Sequence, residues 1–441
     1  MSPNELLAIG MIVSFFFLLL AGLPVGLALA TPALIFGYIG FGPMLFNLLP
    51  SRIYGVTTNY TLMAVPLFVL MGVTLERSKL AEELLDTIGF AFGGMPGGML
   101  IATIVVGALI SASTGIVGAT IVTLGLLMLP VLMRRGYSKP LSCGTICASG
   151  TLGQIMPPCL VLILLADVLN ESVGTIFAAA VIPSLMLTGI YLLAIVFLAL
   201  LRPDMMPPIP IEERQAMSRG ELFTKLVKVV APPIGLIIAV LGSIIGGVAA
   251  PTEAASMGAI GSLLIVLFSG RISFQLLHEV AIGTLRISAI VFFILACAQA
   301  FSLTFRGLGG ENLVYRMFEW VPGGVTGSII FLMLLIFVLG CFLEWIEISY
   351  VALPLFLPFF IAENVNMVWL GILVAVNLQT SFLSPPFGWA LFFLKGVAPP
   401  GITTGDIYLG VLPFILLQVL LLVIVFNVPE TALWLPRAIG W

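Results

Sequence analysis

The sequence predicts an all-α polytopic membrane protein, built as an inverted repeat of two halves that each contain a re-entrant hairpin and a broken helix. Three observations lead there. Hydrophobic residues fill 61% of 441 positions and charged residues only 8%, with a mean hydropathy of +1.23, far from the composition of a soluble domain. Apolar stretches at 6–20, 185–201 and 412–428 approach or reach the roughly 20 residues that a spanning helix needs, and the alternating ten-residue strands of a barrel are missing. The stretch 202–228, which is basic, proline-rich and amphipathic, divides the chain nearly in half.

The opening MSPNELLAIG has no basic n-region and no small-residue cleavage site, so it is expected to stay as the first helix. Spans follow at about 5–24, 27–48 and 60–76, with boundaries good to a few residues. After GGMPGG comes an apolar run over 99–133, too long for one crossing and ended by Arg134, Arg135 and Lys139. A hairpin that enters and leaves on one side accounts for it, with its tip near SASTG, Ser111 to Gly115. A span over about 141–168 then passes through GTLGQIMPP, and 175–201 returns to the central segment. Short loops rich in Lys and Arg lie in the cytoplasm. Arg77 and Lys79, the cluster at Arg134, and the central Arg202, Arg214, Arg219, Lys225 and Lys228 therefore set the orientation, with both termini periplasmic.

Five crossings would turn a duplicated second half upside down. A repeat is visible in the prolines: the shift that carries Pro130 onto Pro358 also carries Pro157 and Pro158 onto Pro385 and Pro386, and misses taking Pro24 to Pro251 by one residue. The halves are then 1–201 and 229–441, joined by a cytoplasmic segment over 202–228.

An unwound segment is tolerated in a bilayer only where protein covers it or it lines a watery cavity. In GTLGQIMPP, Gly150 and Gly153 loosen the helix, while Pro157 and Pro158 remove N–H donors and free carbonyls before them. Those carbonyls and the Thr151 hydroxyl are hard oxygen ligands for a small cation, and the half-helix N-termini suit a carboxylate. Gln154 adds an uncharged amide for substrate contact. Gln379, Thr380, Ser381 and Ser384, before Pro385 and Pro386, repeat the pattern. Each break is also readable as a proline kink with a packing role. Paired across an inverted repeat, the two point to a substrate and ion site near the midplane.

Intramembrane ionisable residues are functional candidates by default. Glu253 in APTEAAS is either a helix cap or a site carboxylate. Glu344 and Glu347 in CFLEWIEISY share one helical face. Arg306 in FRGLGG either snorkels or holds a substrate carboxylate in a bidentate pair. Asp167, Asp406 and Lys395 read as interfacial. Five cysteines in apolar surroundings read as packing, and a lone His278 leaves no zinc set. The chain has no P-loop and no basic stripe for nucleic acid. A channel lacks its rings of polar residues here, and an intramembrane enzyme lacks a nucleophile with its base.

Taken in order, MAVPLFVLMG, SASTGIVGAT, GTLGQIMPP, AAPTEAAS, GCFLEWIEI and NLQTSFLSPPFGWALFF resemble the large membrane subunit of tripartite ATP-independent periplasmic (TRAP) transporters, over almost the whole chain. The resemblance implies an elevator-type secondary transporter of the ion-transporter superfamily, with a transport domain at about 93–170 and 320–400 beside a scaffold. It implies import of a small organic acid across the bacterial inner membrane, with sodium as coupling ion and no other cofactor. It also implies two partners, a small four-helix membrane subunit and a periplasmic substrate-binding protein. By motif, the cation positions are Ser111, Ser113, Thr114 and Gly115 with Gly150, Thr151 and Gly153, and Gly340 with Gln379, Thr380, Ser381 and Ser384. Glu344 stands where many members have aspartate, and the first hairpin is poorer in serine and glycine than many. FRGLGG and LEWIEI resemble the branch labelled mannitol/chloroaromatic-compound transporters. A symporter that works without a binding protein is the alternative.

Overall fold

The computed structural model describes residues 2–210 and 219–441, and all regular structure among them is helical. The first half opens with α1 (Pro3–Leu20), α2 (Val25–Phe41) and the pair α3 (Met44–Thr57) and α4 (Ala64–Arg77). A short α5 (Leu80–Phe92) leads to a hairpin of α6 (Gly98–Thr114) and α7 (Val117–Arg134), then to a broken helix of α8 (Lys139–Thr151) and α9 (Leu160–Leu169), then to α10 (Val173–Leu201). The second half repeats this order. It runs through α11 (Arg219–Ile245), α12 (Pro251–Phe268), a long α13 (Phe274–Gly307) and a short α14 (Gly310–Glu319). A hairpin of α15 (Gly324–Leu339) and α16 (Trp345–Ala362), a broken helix of α17 (Met367–Leu383) and α18 (Trp389–Val397), and α19 (Thr404–Asn427) follow, with α20 (Glu430–Ala438) last. Eight of the described helices are long and apolar enough to cross a membrane, or ten if each bent pair is one span.

One expected boundary moves. The second span, read as 27–48, stops at Phe41 because Gly42 turns at φ +60 and Pro43 follows. The third, expected over 60–76, is helical over 61–77, but it is preceded by a separate helix, α3, from which it bends by 54° at Asn59 and Tyr60. Of the connecting segment expected over 202–228, residues 211–218 lie outside the described residues, and from Arg219 the chain is already helical. Its first part is stitched to the base of hairpin 1. Gly97 donates to Met206 O (3.0 Å), Ser138 to Met205 O (3.0 Å), and Ile209 to Gly93 O (2.7 Å).

Packing repeats as the order does. α12 lies on α4 as α2 lies on α13; α11 pairs with α12 as α1 pairs with α2. Within the other half of the molecule, α8 packs along α19 and α17 along α10, while the return arm of each hairpin meets the far piece of the other broken helix, α7 on α18 and α16 on α9. Connectivity sets the inversion. From the linker beneath hairpin 1, the chain crosses through α11, α12 and α13 in turn, so hairpin 2 starts from the opposite end. At 34 residues, α13 alone is about 50 Å long, enough to separate the two ends fully.

Polar ends fasten these helices. Ser2 and Glu5 cap α1 reciprocally, and Glu5 also pairs with Arg316 of α14 at 2.6 Å. Thr403 and Asp406 form the same capping box on α19. Such caps satisfy N–H groups that the helix leaves unpaired. Between α8 and α19 the contact is backbone on backbone: a Cβ on Gly144 would overlap the Gly410 carbonyl, and one on Gly410 would overlap that of Pro140. Without a hydrophobic drive between helices in lipid, such small-residue contacts supply much of the association.

Gly144→Val and Gly410→Val should therefore each destabilise the fold by about 3 kcal/mol, lowering the melting temperature in detergent by about 5 °C. Gly189→Ala, where an added Cβ meets nothing within 4 Å, should leave it unchanged; equal effects at all three positions would contradict the packing.

Candidate transport site at two helix breaks

At the first break the helix loosens before the prolines. α8 ends at Thr151, a 3-10 turn covers Leu152 to Gln154, and Cys159 is extended (φ −134, ψ 156) before α9 begins. The Pro157–Pro158 peptide is cis, as is Pro385–Pro386 at the second break. The tip of hairpin 1 sits directly on this segment. Ser111 Oγ lies 3.4 Å from the carbonyls of both Ser149 and Gly150, and a Cβ on Gly153 would stand 3.2 Å from Ser111 Cβ. Gly115 turns the hairpin at φ +62, against Cys159 and the amide of Leu160. Glycine is required there twice over, for the left-handed turn and for the close approach.

The second break differs in where it unwinds. α17 stays helical through Gln379, Thr380 and Ser381 to Leu383, and the irregular stretch is Ser384 to Gly388. The chain folds tightly there, since a Cβ on Gly388 would lie 2.6 Å from Phe382 O and 2.8 Å from Ser384 O. Gly340, at the tip of hairpin 2, touches Ser381 so closely that a Cβ would overlap its Oγ. The two contacts are equivalent under the repeat with the residue types exchanged. Hairpin 1 brings a serine to a glycine, and hairpin 2 brings a glycine to a serine. Exposure differs too: Pro157 and Pro158 are buried, whereas Pro386 and Phe387 are exposed, with Phe387 against Phe342 of the hairpin tip (centroids 5.6 Å apart).

Around both breaks most of the polar side chains are buried and neutral, Glu347 beyond the hairpin 2 tip being a buried carboxyl. Thr114 Oγ1 lies 3.3 Å from Thr120 Oγ1, Ser113 donates to Ile110 O, and Ser384 donates to Thr380 O. Three amides are left wanting. Both polar atoms of Gln154, both of Gln379 and Oε1 of Gln418 have no hydrogen-bond partner in the protein. Gln418 Nε2 reaches Thr151 Oγ1 at 3.4 Å, and the buried Tyr191 hydroxyl faces the same two residues without a well-formed bond of its own. The sequence reading passed over Gln418 and Tyr191. Each was legible as an isolated polar group in an apolar span.

Of the charged candidates, Glu344 and Glu347 lie just past the hairpin 2 tip, while Glu253 and Arg306 lie away from the breaks. Glu253 is exposed and accepts from Ala250 N at 2.9 Å, so it caps α12. Glu344 is half-buried at the start of α16 and Glu347 is 1% exposed, with Oε2 unpartnered. Arg306, at the end of α13, is exposed, pairs with Glu311 at 3.4 Å and donates to Pro354 O at 3.2 Å. It lines a separate cleft, and no break residue lines it. Asp167, read as interfacial, belongs to that cleft as well.

Among the described residues no three His, Cys, Asp or Glu side chains cluster as for a metal ion. The donors at the breaks are thus hydroxyls, amides and main-chain carbonyls. Two inverted halves, two hairpins and two interrupted helices at their junction are the architecture of a polytopic membrane transporter, with irregular backbone sheltered by protein. The comparisons narrow the class. The family described as "Tripartite ATP-independent periplasmic transporter, DctM component" matches residues 12–431, and the chain belongs to it: it is a multi-pass transporter subunit and not an enzyme. It is 28% identical over 406 residues to the C4-dicarboxylate TRAP transporter large permease protein DctM of Pseudomonas aeruginosa, covering 91% of this chain and 92% of that one. It is 27% identical over 429 residues to the ectoine TRAP transporter large permease protein TeaC of Halomonas elongata, covering 96% and 98%. The fold is also similar to the crystal structure of the YdaH transporter of Alcanivorax borkumensis, at a TM-score of 0.60 and 16% identity over 100% of this chain and 98% of that one.

The exchanged serine and glycine make a direct test. Gly340→Ser alone should lower the melting temperature by about 5 °C, because its Cβ enters the space of Ser381. Adding Ser381→Gly copies the arrangement of the first half and should recover most of that loss; a double variant no better than the single one would refute the equivalence.

Proposed function

We propose that this chain imports a small organic carboxylate across the bacterial inner membrane, coupled to sodium, by moving a body made of the hairpins and broken helices against a scaffold. The observation that carries the reading is the set of unpaired amides of Gln154 and Gln379 at the breaks. A buried polar group without a partner costs about 1–3 kcal/mol, so these amides are built for a partner from outside the protein. Neutral oxygens suit a monovalent cation, since no carboxylate cage among the described residues is present to hold a divalent one. On this reading Ser111, Ser113, Thr114 and Gly115 with Gly150, Thr151 and Gly153 hold one sodium ion. Gly340 with Gln379, Thr380, Ser381 and Ser384 holds another, and Gln154 meets the substrate.

The moving body would extend beyond the ranges 93–170 and 320–400, because α10 and α19 pack on the broken helices and would travel with them. α1 to α4 and α11 to α13 would form the scaffold. Orientation follows charge. Arg77, Lys79, Arg134, Arg135, Lys139, Arg271 and Lys395 gather toward the end that holds the linker, and Arg52, Arg306, Arg316 and Arg437 toward the other. By the positive-inside rule this supports a cytoplasmic linker with both termini periplasmic. A small membrane subunit and a periplasmic binding protein complete the system on this reading. The two relatives are named for a dicarboxylate and for ectoine, so the carboxylate is assigned by class only.

Uptake of a labelled organic-acid panel into proteoliposomes tests this, with and without the small subunit and binding protein, under an inward sodium gradient. Uptake that needs all three proteins and sodium is expected. Uptake by this chain alone would replace the reading with a free-standing symporter, and passive flux without sodium would replace it with a channel. Ser111→Ala should raise the sodium concentration for half-maximal uptake about tenfold, the loss of roughly 1.4 kcal/mol from one ligand. An unchanged sodium dependence would remove the first hairpin from the cation site.

A further inference from the structure

The cleft that holds Arg306 is a site in its own right. It encloses about 490 Å³ and is lined by Arg52, Gln299, Ser302, Arg306, Asp167 and Tyr350, among others. That volume lies within the range of small-molecule sites. Arg52 on α3 makes no ion pair or hydrogen bond with any described residue, nor do Gln299 and Ser302 on α13. Three sets of donors therefore face one cavity without a protein partner. The one carboxylate in the wall is already occupied: Asp167 accepts from Asn59 Nδ2 (2.5 Å) and from the Tyr350 hydroxyl (2.6 Å). Arg306 keeps only part of its fork in use, on Glu311 and Pro354 O.

We propose that this cleft binds an organic carboxylate as a second site, apart from the helix breaks. Arg52 supplies the planar fork that matches a carboxylate, Arg306 adds positive charge opposite, and Gln299 and Ser302 give neutral donors for flanking oxygens. The Asn59–Asp167–Tyr350 chain engages both Asp167 oxygens and holds the wall in shape. The walls come from different bodies. Arg52, Gln299, Ser302 and Arg306 belong to the scaffold helices, while Asp167 and Tyr350 belong to α9 and α16, so occupancy and the position of the moving body are linked. The part of this that concerns movement rests on the proposed function; the binding itself does not.

The test uses the full chain in detergent and needs no transport. Gln299→Cys places a thiol in the cleft, to be labelled with the anionic methanethiosulfonate ethylsulfonate and the cationic ethyltrimethylammonium reagent, against the parent chain as background. The anionic reagent should react about tenfold faster, as in an electropositive cleft, and Arg52→Gln should reduce that preference. Succinate at millimolar concentration should slow labelling, and this protection should disappear in Arg52→Gln and weaken in Arg52→Lys, which keeps the charge but loses the fork. Equal labelling by both reagents, protection that survives Arg52→Gln, or equal protection by inorganic phosphate would overturn the carboxylate site. Protection together with failed proteoliposome uptake would leave this site standing and remove the transport reading. The reverse result would remove this site alone.

Discussion

Everything in this fold depends on the rule that main-chain polar groups inside a bilayer must be paired or sheltered. Two helices break that rule halfway across, at Leu152 to Cys159 and at Ser384 to Gly388. Each break then needs a cover, and each hairpin supplies one with its tip, through Ser111 in one half and Gly340 in the other. Sheltering explains why the hairpins are re-entrant.

The cover has to fit closely, and small residues make that possible. Gly72 of α4 touches the backbone of Thr114 near the hairpin 1 tip, Gly107 meets Ser149, and Gly118 faces the ring of Phe393. At the equivalent contacts of the two halves one partner is a serine and the other a glycine, on opposite sides. Only one side chain fits between the tip and the helix. The duplicated halves have each kept one hydroxyl and placed it on a different element, so the contact volume is preserved while the chemistry is carried by the hairpin in one half and by the helix in the other.

Much of this was legible because the signals are local and strong. The proline pairs, the basic central segment and the apolar run over 99–133 marked the breaks, the linker and hairpin 1 without any knowledge of packing. What escaped was set by neighbours distant in sequence. Gln418 stands alone as a polar side chain in the apolar part of its span, but its meeting with Thr151 depends on α8 lying along α19. Glu253 could be read as a cap or as a site group from sequence, and the backbone geometry chose the cap. Arg306 stands out in the sequence as a charge ending an apolar run, but its partners Glu311 and Pro354, and Arg52 in the same cleft, appear only once α3, α13 and α16 are brought together. The place where α17 unwinds was also hidden, because Gln379 to Ser381 are compatible with helix and remain helical until Ser384.

The distribution of charge has a physical logic of its own. Most ionisable groups sit at the ends of the helices, in pairs such as Arg316 with Glu5 and Arg271 with Glu83, where water lowers the cost of the charge; Glu347, buried close to the tip of hairpin 2, is an exception. Toward the breaks the donors become hydroxyls, amides and carbonyls. A fixed charge at the midplane would be expensive without a counter-charge, and with one it would hold a cargo ion too firmly to release it. Neutral oxygens bind a stripped ion well enough to admit it and weakly enough to let it go. Arg52 and Arg306 stand instead in a cleft away from the breaks, on α3 and near the end of α13.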